Sequence, residues 1–298
     1  MIKFIKFSKF ANTILHYLIL IIGKQAVMKK NILFVAQELS PYVDGDLGEK
    51  ILNLAAFMQS KSDTDVRIFI PRFGCINQRK HQLHEVIRLS GVNLVINDID
   101  QPLIIKVGSV SKQKLQVYFI DNEEYFKRKQ LFKDKSGKMF SDNDERMLFF
   151  CKGVLETLLM LGWKPDILHC HGWLTSMLPM YLKTKYKQDS LFESTQVISS
   201  FYKQSFPGML NKDLATKILQ DDQIEENFEF LKKPNALNLG KHASIFSDGI
   251  IFEKGFSKST EIIKSATNNI AVLGDGKKEP TEEEYENFYK NYTLLETA

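Results

Sequence analysis

Cysteine is scarce in this sequence of 298 residues, and the few cysteines are widely separated. Cys75, Cys151 and Cys170 are odd in number and far apart, which argues against a disulfide framework or a zinc module. Free thiols are typical of a reducing compartment, so we expect a cytoplasmic protein. The chain also lacks a Gly-x-Gly-x-x-Gly fingerprint after its first predicted strand and a Gly-x-Ser-x-Gly elbow. These absences argue against a dinucleotide-dependent enzyme and a serine hydrolase.

The sequence also has no net charge when the first 27 residues are left out. These residues carry four of the 40 basic side chains and no acid, and the remaining 36 basic side chains equal the 36 acidic ones. The net charge therefore gives no reason to expect a nucleic-acid partner. Residues 14–22 form an apolar run that is too short to span a membrane, so we expect no membrane association. We interpret residues 1–27 as an extension ahead of a true start at Met28, with a weak signal peptide as the alternative.

Short apolar runs alternate with amphipathic segments along the rest of the chain. Residues 31–36 are typical of a strand buried on both faces, 37–50 of a loop, 49–60 of a helix and 66–70 of a second strand. This order predicts a right-handed parallel β–α–β unit. Residues 103–107 and 116–120 predict a hairpin, and 144–160 predict a helix with a strong apolar face.

These elements predict an α/β fold with a Rossmann-like, doubly wound and mostly parallel sheet. The main domain is assigned to residues 28–267. Residues 268–298 are interpreted as an acidic amphipathic tail with three aromatic residues on one face, Tyr285, Phe288 and Tyr289.

A His-x-His pair stands where a ligand is expected in such a fold. Ile167 and Leu168 end a predicted strand, His169 and His171 follow, and a helix is predicted over 174–185. Ligands of open parallel sheets lie at the carboxyl ends of strands, against helix N-termini. The two histidines fit equally well as packed, hydrogen-bonded core residues. A metal site is disfavoured because no further cluster of ligand residues stands nearby.

Four stretches around this pair resemble one family, the N-terminal domain of bacterial glycogen synthase and plant starch synthase. They occur in the family's order at 38–43 (ELSPYV), 117–128 (VYFIDNEEYFKR), 141–146 (SDNDER) and 169–173 (HCHGW). A fifth, weaker similarity covers 242–251 with 257–262. An ordered set of motifs over residues 28–265 is far more specific than any one of them.

The resemblance implies a retaining hexosyltransferase that moves glucose from ADP-glucose or UDP-glucose to the non-reducing end of an α-1,4-glucan, with no metal or cofactor. Such enzymes have the GT-B fold, in which two Rossmann domains close over the nucleotide sugar, and this chain would be one half. The protein would position donor and acceptor while fixed dipoles and cations stabilise the departing diphosphate.

Carried over residue by residue, the resemblance implies two catalytic candidates. His171 would lie against the transferred glucose, and Asp142 would hydrogen-bond near the sugar and the acceptor. Asp142 also fits the N-cap of the following helix, and Arg146 could form a surface ion pair with Asp142 or Glu145. The implied substrate-binding residues are Glu38, Tyr42, Gly45, Gly48, Asn143 and His169.

The sequence departs from the family in the first loop, where the pattern Lys-Thr-Gly-Gly-Leu-Gly-Asp becomes residues 44–49 (DGDLGE). The lysine is lost, and acids at this place disfavour a phosphate by about a few kcal/mol when partly desolvated. Lys50 stands a helical turn further on. Gly172 replaces an Asp of the family, Leu174 replaces a His, and residues 199–202 (SSFY) lack a His and an Asn.

The chain is also short for an enzyme of two domains of about 200 residues each. We expect it to end near the hinge, without the groups of the donor domain, so efficient synthesis by the chain alone is not expected. One hypothesis is a glucosyltransferase domain that acts with a separate donor-domain protein. The alternative is a catalytically inactive glucan-binding or regulatory protein of glycogen metabolism.

Overall fold

A computed structural model describes residues 29–203, 206–226, 228–256, 259–267 and 270–292. The extension predicted at residues 1–27 lies outside the described residues. Within them, ten strands form one sheet. The strands are β1 Lys30–Ala36, β2 Thr64–Pro71, β3 His84–Glu85, β4 Val92–Ile96, β5 Ile99–Val110, β6 Leu115–Asp121, β7 Ile167–His171, β8 Gln196–Phe201, β9 Gly249–Phe252 and β10 Ala271–Leu273.

The sheet has the order β10–β9–β8–β7–β1–β2–β6–β5–β3, with β4 paired to β5. The strands from β10 to β6 are parallel, and β5 joins antiparallel to β6 and to the short edge strands β3 and β4. The order of strands reverses between β1 and β7. The predicted doubly wound, mostly parallel sheet is confirmed.

Helices cover both faces of the sheet. They are α1 Asp46–Gln59, α2 Glu123–Phe126, α3 Asn143–Leu161, α4 Leu178–Lys183, α5 Leu214–Asp222, α6 Ala236–Ile245, α7 Thr260–Lys264 and α8 Glu282–Lys290. Helices α1 and α8 pack together, as do α3, α4 and α6. Alternation along β7 separates the two groups, because His169 contacts Tyr289 of α8 while the next residue, Cys170, lies near Cys151 of α3.

Two predicted boundaries differ from the structure around the His-x-His pair. Strand β7 does not end at Leu168 but continues through His171, so both histidines are strand residues. The helix predicted over 174–185 is shorter: a 3₁₀ turn spans Trp173–Thr175, and α4 begins only at Leu178. Pro179 lies in the first turn of α4, where its missing N–H costs no helical hydrogen bond.

The segment after residue 267 adds a strand and a helix to the same body. Strand β10 pairs with β9, and α8 buries Tyr285, Phe288 and Tyr289. Helix α8 begins with a capping box in which Thr281 and Glu284 exchange side-chain and backbone hydrogen bonds. In the described ranges, no helix is long and apolar enough to cross a membrane.

Candidate functional site

A cleft of about 1280 Å³ opens at the carboxyl edge of the parallel strands. Residues that follow four strands line it: Glu38 after β1, Trp173 after β7, Tyr202 after β8 and Glu253 after β9. The first turns of α1 and residues of the α8 region complete the walls. The cleft thus lies where the strand order reverses, the place at which open α/β sheets bind ligands.

The first loop contributes Glu38, whose carboxylate accepts a hydrogen bond from the amide of Gly48 in the first turn of α1. Burial raises the pKa of Glu38; the Gly48 hydrogen bond opposes this rise and the charge of Asp46 adds to it. A β-carbon on Gly45 would lie 2.8 Å from Glu38 Oε1, and one on Gly48 would lie 2.9 Å from the backbone nitrogen of Ser40. Both glycines therefore allow the loop to pack closely against α1, and a carboxylate stands near the helix N-terminus.

Lys50 reaches the cleft from α1 and pairs with the carboxylates of Glu253 and Glu279. Glu253 is 1% exposed and also accepts hydrogen bonds from the hydroxyls of Ser200 and Tyr285. Burial raises the pKa of Glu253, and the charge and hydrogen bond of Lys50 oppose that rise. Lys50 is therefore held in the cleft by a carboxylate that is itself fixed from two sides.

Acidic side chains exceed basic ones along the walls of the cleft. The acidic ones are Glu38, Asp46, Glu49, Glu253, Glu279 and Glu282, and the basic ones are Lys50, Lys133, Lys203 and Lys254. Two of the acids, Asp46 and Glu49, come from the altered first loop and the first turn of α1, as the sequence indicated. Like charges at this range oppose a diphosphate.

His169 lies beneath the cleft in a chain of hydrogen bonds. Its Nδ1 is 2.6 Å from the Tyr289 hydroxyl, and its Nε2 is 2.8 Å from Ser200 Oγ. Because the Ser200 hydroxyl donates to Glu253, His169 must donate from Nε2 and accept at Nδ1. Burial, and then the charge of Lys50, lower the pKa of His169 to about 3, so the imidazole is neutral.

His171 is likewise fully buried and does not form part of the cleft wall. Its Nδ1 is 2.6 Å from the hydroxyl of Tyr202, and its ring stacks on Phe34. Burial lowers its pKa, and His169 and Lys50 lower it further. Nε2 of His171 has no hydrogen-bond partner among the described residues. The structure brings the two histidines together, with ring centroids 3.8 Å apart, and places Tyr202 between His171 and the cleft.

Asp142 stands at the N-cap position of α3, but its side chain makes no capping hydrogen bond. It forms a two-pronged ion pair with Arg128, in which Nη1 lies 2.8 Å from Oδ1. Burial alone would raise the pKa of Asp142, but the hydrogen bond and charge of Arg128 outweigh burial and lower it. Asp142 does not line the cleft either.

Asn143 and Arg146 hold the loop that does form a wall of the cleft. The Asn143 side chain donates to the carbonyl of Phe132 and accepts from Arg146 Nη1. Arg146 is buried, where the sequence allowed a surface ion pair, and it donates to the carbonyl of Tyr125. Four phenyl rings surround its guanidinium, those of Phe73, Phe126, Phe132 and Phe140. Residues 130–133 of this loop line the cleft.

Tyr42 supports the first loop from the core. It is 6% exposed, its ring meets the edge of Phe119, and burial raises its pKa to about 12. Among the described residues, no three His, Cys, Asp or Glu side chains come together as a set that could hold a metal ion.

Several cleft residues were not identified from the sequence. Tyr202 belongs to residues 199–202, where the sequence shows only that the family's His and Asn are missing. Glu253, Glu279 and Tyr285 belong to segments with no recognised motif. The available signal was the amphipathic spacing of the aromatic residues in 285–289. An apolar helix face of this kind must be buried against another surface of the domain.

The parallel sheet with a cleft at its switch point gives the chain the architecture of one Rossmann half of the GT-B fold. It is similar to the catalytic domain of Starch Synthase IV from Arabidopsis thaliana, a structure described as bound to ADP and acarbose. The TM-score is 0.65 at 21% identity, over 83% of this chain and 52% of that chain.

Residues 31–252 match the family model of the starch synthase catalytic domain, and the chain belongs to that family. The resemblance noted from the motifs is thereby confirmed. The chain is 37% identical to glycogen synthase of Chlorobium limicola over 224 residues, 72% of this chain and 45% of that protein. It is also 37% identical to glycogen synthase of Chlorobium luteolum over 198 residues, 64% of this chain and 39% of that protein. The chain thus spans less than half the length of these relatives.

Proposed function

We propose that the chain is the acceptor-side half of a glycogen/starch-synthase-type glucosyltransferase. It transfers glucose from ADP-glucose to an α-1,4-glucan together with a donor domain. Membership of the starch synthase catalytic-domain family favours transfer over a silent glucan-binding role. The similarity to a structure described with ADP and acarbose supports a nucleotide and a glucan as the ligands.

The observation that carries this proposal is the composition of the cleft at the strand ends. Aromatic side chains from four separate segments line it, namely Phe132, Trp173, Tyr202 and Tyr285, next to carboxylates and lysines. Apolar rings with a few fixed polar groups suit a neutral sugar chain, whose faces are apolar and whose edges carry hydroxyls. A glucan therefore fits this cleft better than a free anion does.

The cleft supplies little positive charge for a departing diphosphate. Lys133, Lys203 and Lys254 are exposed, and Lys50 is paired with two carboxylates. Stabilisation of a leaving group requires donors or cations fixed where charge develops. In our proposal most of those groups come from the donor domain, and closure of the two halves brings them to the glucose. Retention of the anomeric configuration is part of the proposal.

Direct contacts of His171 and Asp142 with the glucose also remain proposals. His171 is covered by Tyr202, and Asp142 is held by Arg128. For either side chain to reach a sugar, its present partner has to turn aside when the substrate binds. In this proposal the buried, neutral His169 lies behind His171 and holds the end of strand β7 in position. The three free cysteines fit our proposal of a cytoplasmic location.

Complementation of the purified chain tests this function. The chain is incubated with glycogen and radiolabelled ADP-glucose, alone and with the separately expressed C-terminal half of the C. limicola enzyme. We expect incorporation of label into glycogen with both halves present, and little with either half alone. UDP-glucose in place of ADP-glucose tests the choice of nucleotide.

Affinity electrophoresis through glycogen provides a binding control that needs no donor domain. We expect the chain to be retarded by glycogen but not by dextran, whose linkages are mainly α-1,6. A chain that neither migrates more slowly in glycogen nor supports incorporation contradicts the proposal. Incorporation by the chain alone contradicts the need for a separate donor domain.

A further inference from the structure

We infer that Lys50 is the anion-binding residue of the cleft and that Glu279 occupies its site as an internal competitor for a nucleoside diphosphate. This inference rests on the proposed function, because the diphosphate is the leaving group of ADP-glucose. The first loop has no lysine that could bind a phosphate, and the inference gives this role to Lys50 of α1. It also gives the segment before α8 a part in ligand selection.

Lys50 is preorganised as a cation that faces the cleft. Glu253 holds it from behind, and Glu253 is fixed in turn by the hydroxyls of Ser200 and Tyr285. The ammonium also lies 5.4 Å from the centre of the Tyr202 ring. A lysine held in this way loses little side-chain entropy when an anion binds to it.

Glu279 makes the contacts that an anionic ligand would make. One carboxylate oxygen pairs with Lys50 Nζ, and the other accepts a hydrogen bond of 3.3 Å from the backbone amide of Lys254. An ammonium and an amide that converge on two oxygens of one anion also suit two oxygens of a phosphate. Glu279 thus stands where a phosphate can be received.

The two carboxylates of the pair differ in how readily a ligand can replace them. The Glu253 side chain is 1% exposed and has three partners, whereas the Glu279 side chain is 47% exposed and lies in the segment before α8. Exposed ion pairs contribute little to stability and are weakened by salt. A diphosphate can therefore displace Glu279 while Glu253 keeps Lys50 in place.

The test measures ADP binding to the purified full chain by isothermal titration calorimetry at low and moderate salt. Glu279→Gln removes the competing charge and keeps the shape of the side chain, so we expect ADP to bind about fivefold tighter. Glu283→Gln is the matched control, since it removes an equal charge from an exposed position in the first turn of α8 outside the cleft wall. We expect this control to change ADP affinity less than about twofold.

Adenosine, which has no phosphate, separates charge from shape. We expect its affinity to be the same for the unmodified chain and Glu279→Gln. Lys50→Met should weaken ADP binding about tenfold, and Lys50→Arg should retain most of it. Because Lys50→Met leaves Glu253 buried without its cation, the double variant Lys50→Met/Glu253→Gln provides a charge-balanced second measurement with the same expectation.

Equal ADP affinities for Glu279→Gln and Glu283→Gln would overturn the inference. The same holds if adenosine responds as ADP does, or if neither the unmodified chain nor Glu279→Gln binds ADP. Retardation by glycogen, measured on the same samples, reports on the proposed function independently. If the chain does not bind glycogen but Glu279→Gln still binds ADP more tightly, the proposed function is refuted and the anion site stands. If the chain binds glycogen but Glu279→Gln does not change ADP affinity, only the anion site is refuted.

Discussion

The side chains of His169 and Tyr289 meet in a hydrogen bond of 2.6 Å although 120 residues separate them in the sequence. The bond ties the central strand β7 to helix α8 near the end of the described chain. The polar chain continues from His169 through Ser200 to Glu253 and Lys50. Helix α8 therefore stabilises both the sheet and the charged wall of the cleft.

Removal of the Tyr289 hydroxyl tests this link. In Tyr289→Phe, His169 Nδ1 loses its donor inside the core, and a buried polar atom without a partner costs about 1–3 kcal/mol. We expect urea denaturation to show a loss of this size. Tyr292→Phe is the control, since that hydroxyl donates to the Asp248 carbonyl at a partly exposed position and should cost less than about 1 kcal/mol. Equal losses would contradict a special role for Tyr289.

Replacement of His171 distinguishes a core histidine from one on a free surface. Because its ring is fully buried and stacked on Phe34, we expect His171→Ala to lower the free energy of unfolding by about 2–4 kcal/mol. The exposed His84 is the control, and His84→Ala should change it by less than about 0.5 kcal/mol. Glycogen binding is measured on the same samples. Unchanged stability with weaker binding would place His171 on the cleft surface instead.

The buried histidines make stability depend on pH. The folded-state pKa of His169 is about 3 against an ordinary value of 6.5, so the unfolded chain binds more protons between these values and stability falls as pH falls through this window. Each such group contributes a slope of up to about 1.4 kcal/mol per pH unit. We expect His169→Gln to remove about this much of the slope between pH 5 and 6, as measured by urea denaturation at each pH. An unchanged slope would show that His169 titrates normally in the fold.

The backbone conformation and the surroundings of Gly172 disfavour any side chain at this position. Its φ is +85°, and a β-carbon would lie 2.4 Å from Gln37 Oε1. We expect Gly172→Ala to destabilise the fold by about 2–3 kcal/mol, from backbone strain and overpacking together. Gly255→Ala is the control, because its φ is +93° but its β-carbon would meet only the flexible Lys203 side chain, and it should cost less.

A double-mutant cycle isolates the clash at this position. In Gln37→Ala/Gly172→Ala the overpacking is removed while the backbone strain remains, so the loss should be smaller than the sum of the two single losses. Additive losses, measured by urea denaturation, would mean that Gln37 does not restrict position 172.

Asp142 and Arg128 allow a comparison of substrate contact with loop support. Both Asp142→Asn and Arg128→Ala break the same ion pair. If Asp142 contacts the glucan as we propose, Asp142→Asn should weaken glycogen binding about tenfold more than Arg128→Ala, because a hydrogen bond to a charged group is lost. Affinity electrophoresis measures the two constants. Equal weakening would limit Asp142 to positioning the loop.

The fold was largely predictable because its signals are local. Strands β1, β2, β6 and β8 are apolar runs or alternate apolar with polar residues, and α3 repeats apolar residues at helical spacing. A few consecutive residues are therefore enough to indicate the type of each element. The start of α1 was placed too late, at residue 49 instead of Asp46, because glycine and aspartate are typical of loops. Here Gly48 is inside the helix, since the backbone at Leu39 and Ser40 packs against it.

The site was less predictable because its partners are remote in the sequence. The buried Nδ1 atoms of His169 and His171 are hydrogen-bonded to the hydroxyls of Tyr289 and Tyr202, and no local sequence pattern indicates either contact. The ion pairs of Lys50 join α1 to residues more than 200 positions away. Motif similarity pointed to the edge of the sheet at which the cleft lies, whereas the partner of each polar group required the tertiary structure.

The positions of the two tryptophans give the chain a built-in optical reporter. Trp173 lies in the cleft wall, in edge contact with Phe132, while Trp163 precedes β7 at the opposite end of the strand and packs beneath Arg67. A ligand that enters the cleft changes the surroundings of the first indole and leaves the second as an internal reference. Intrinsic fluorescence can therefore follow occupancy of the cleft without any attached dye.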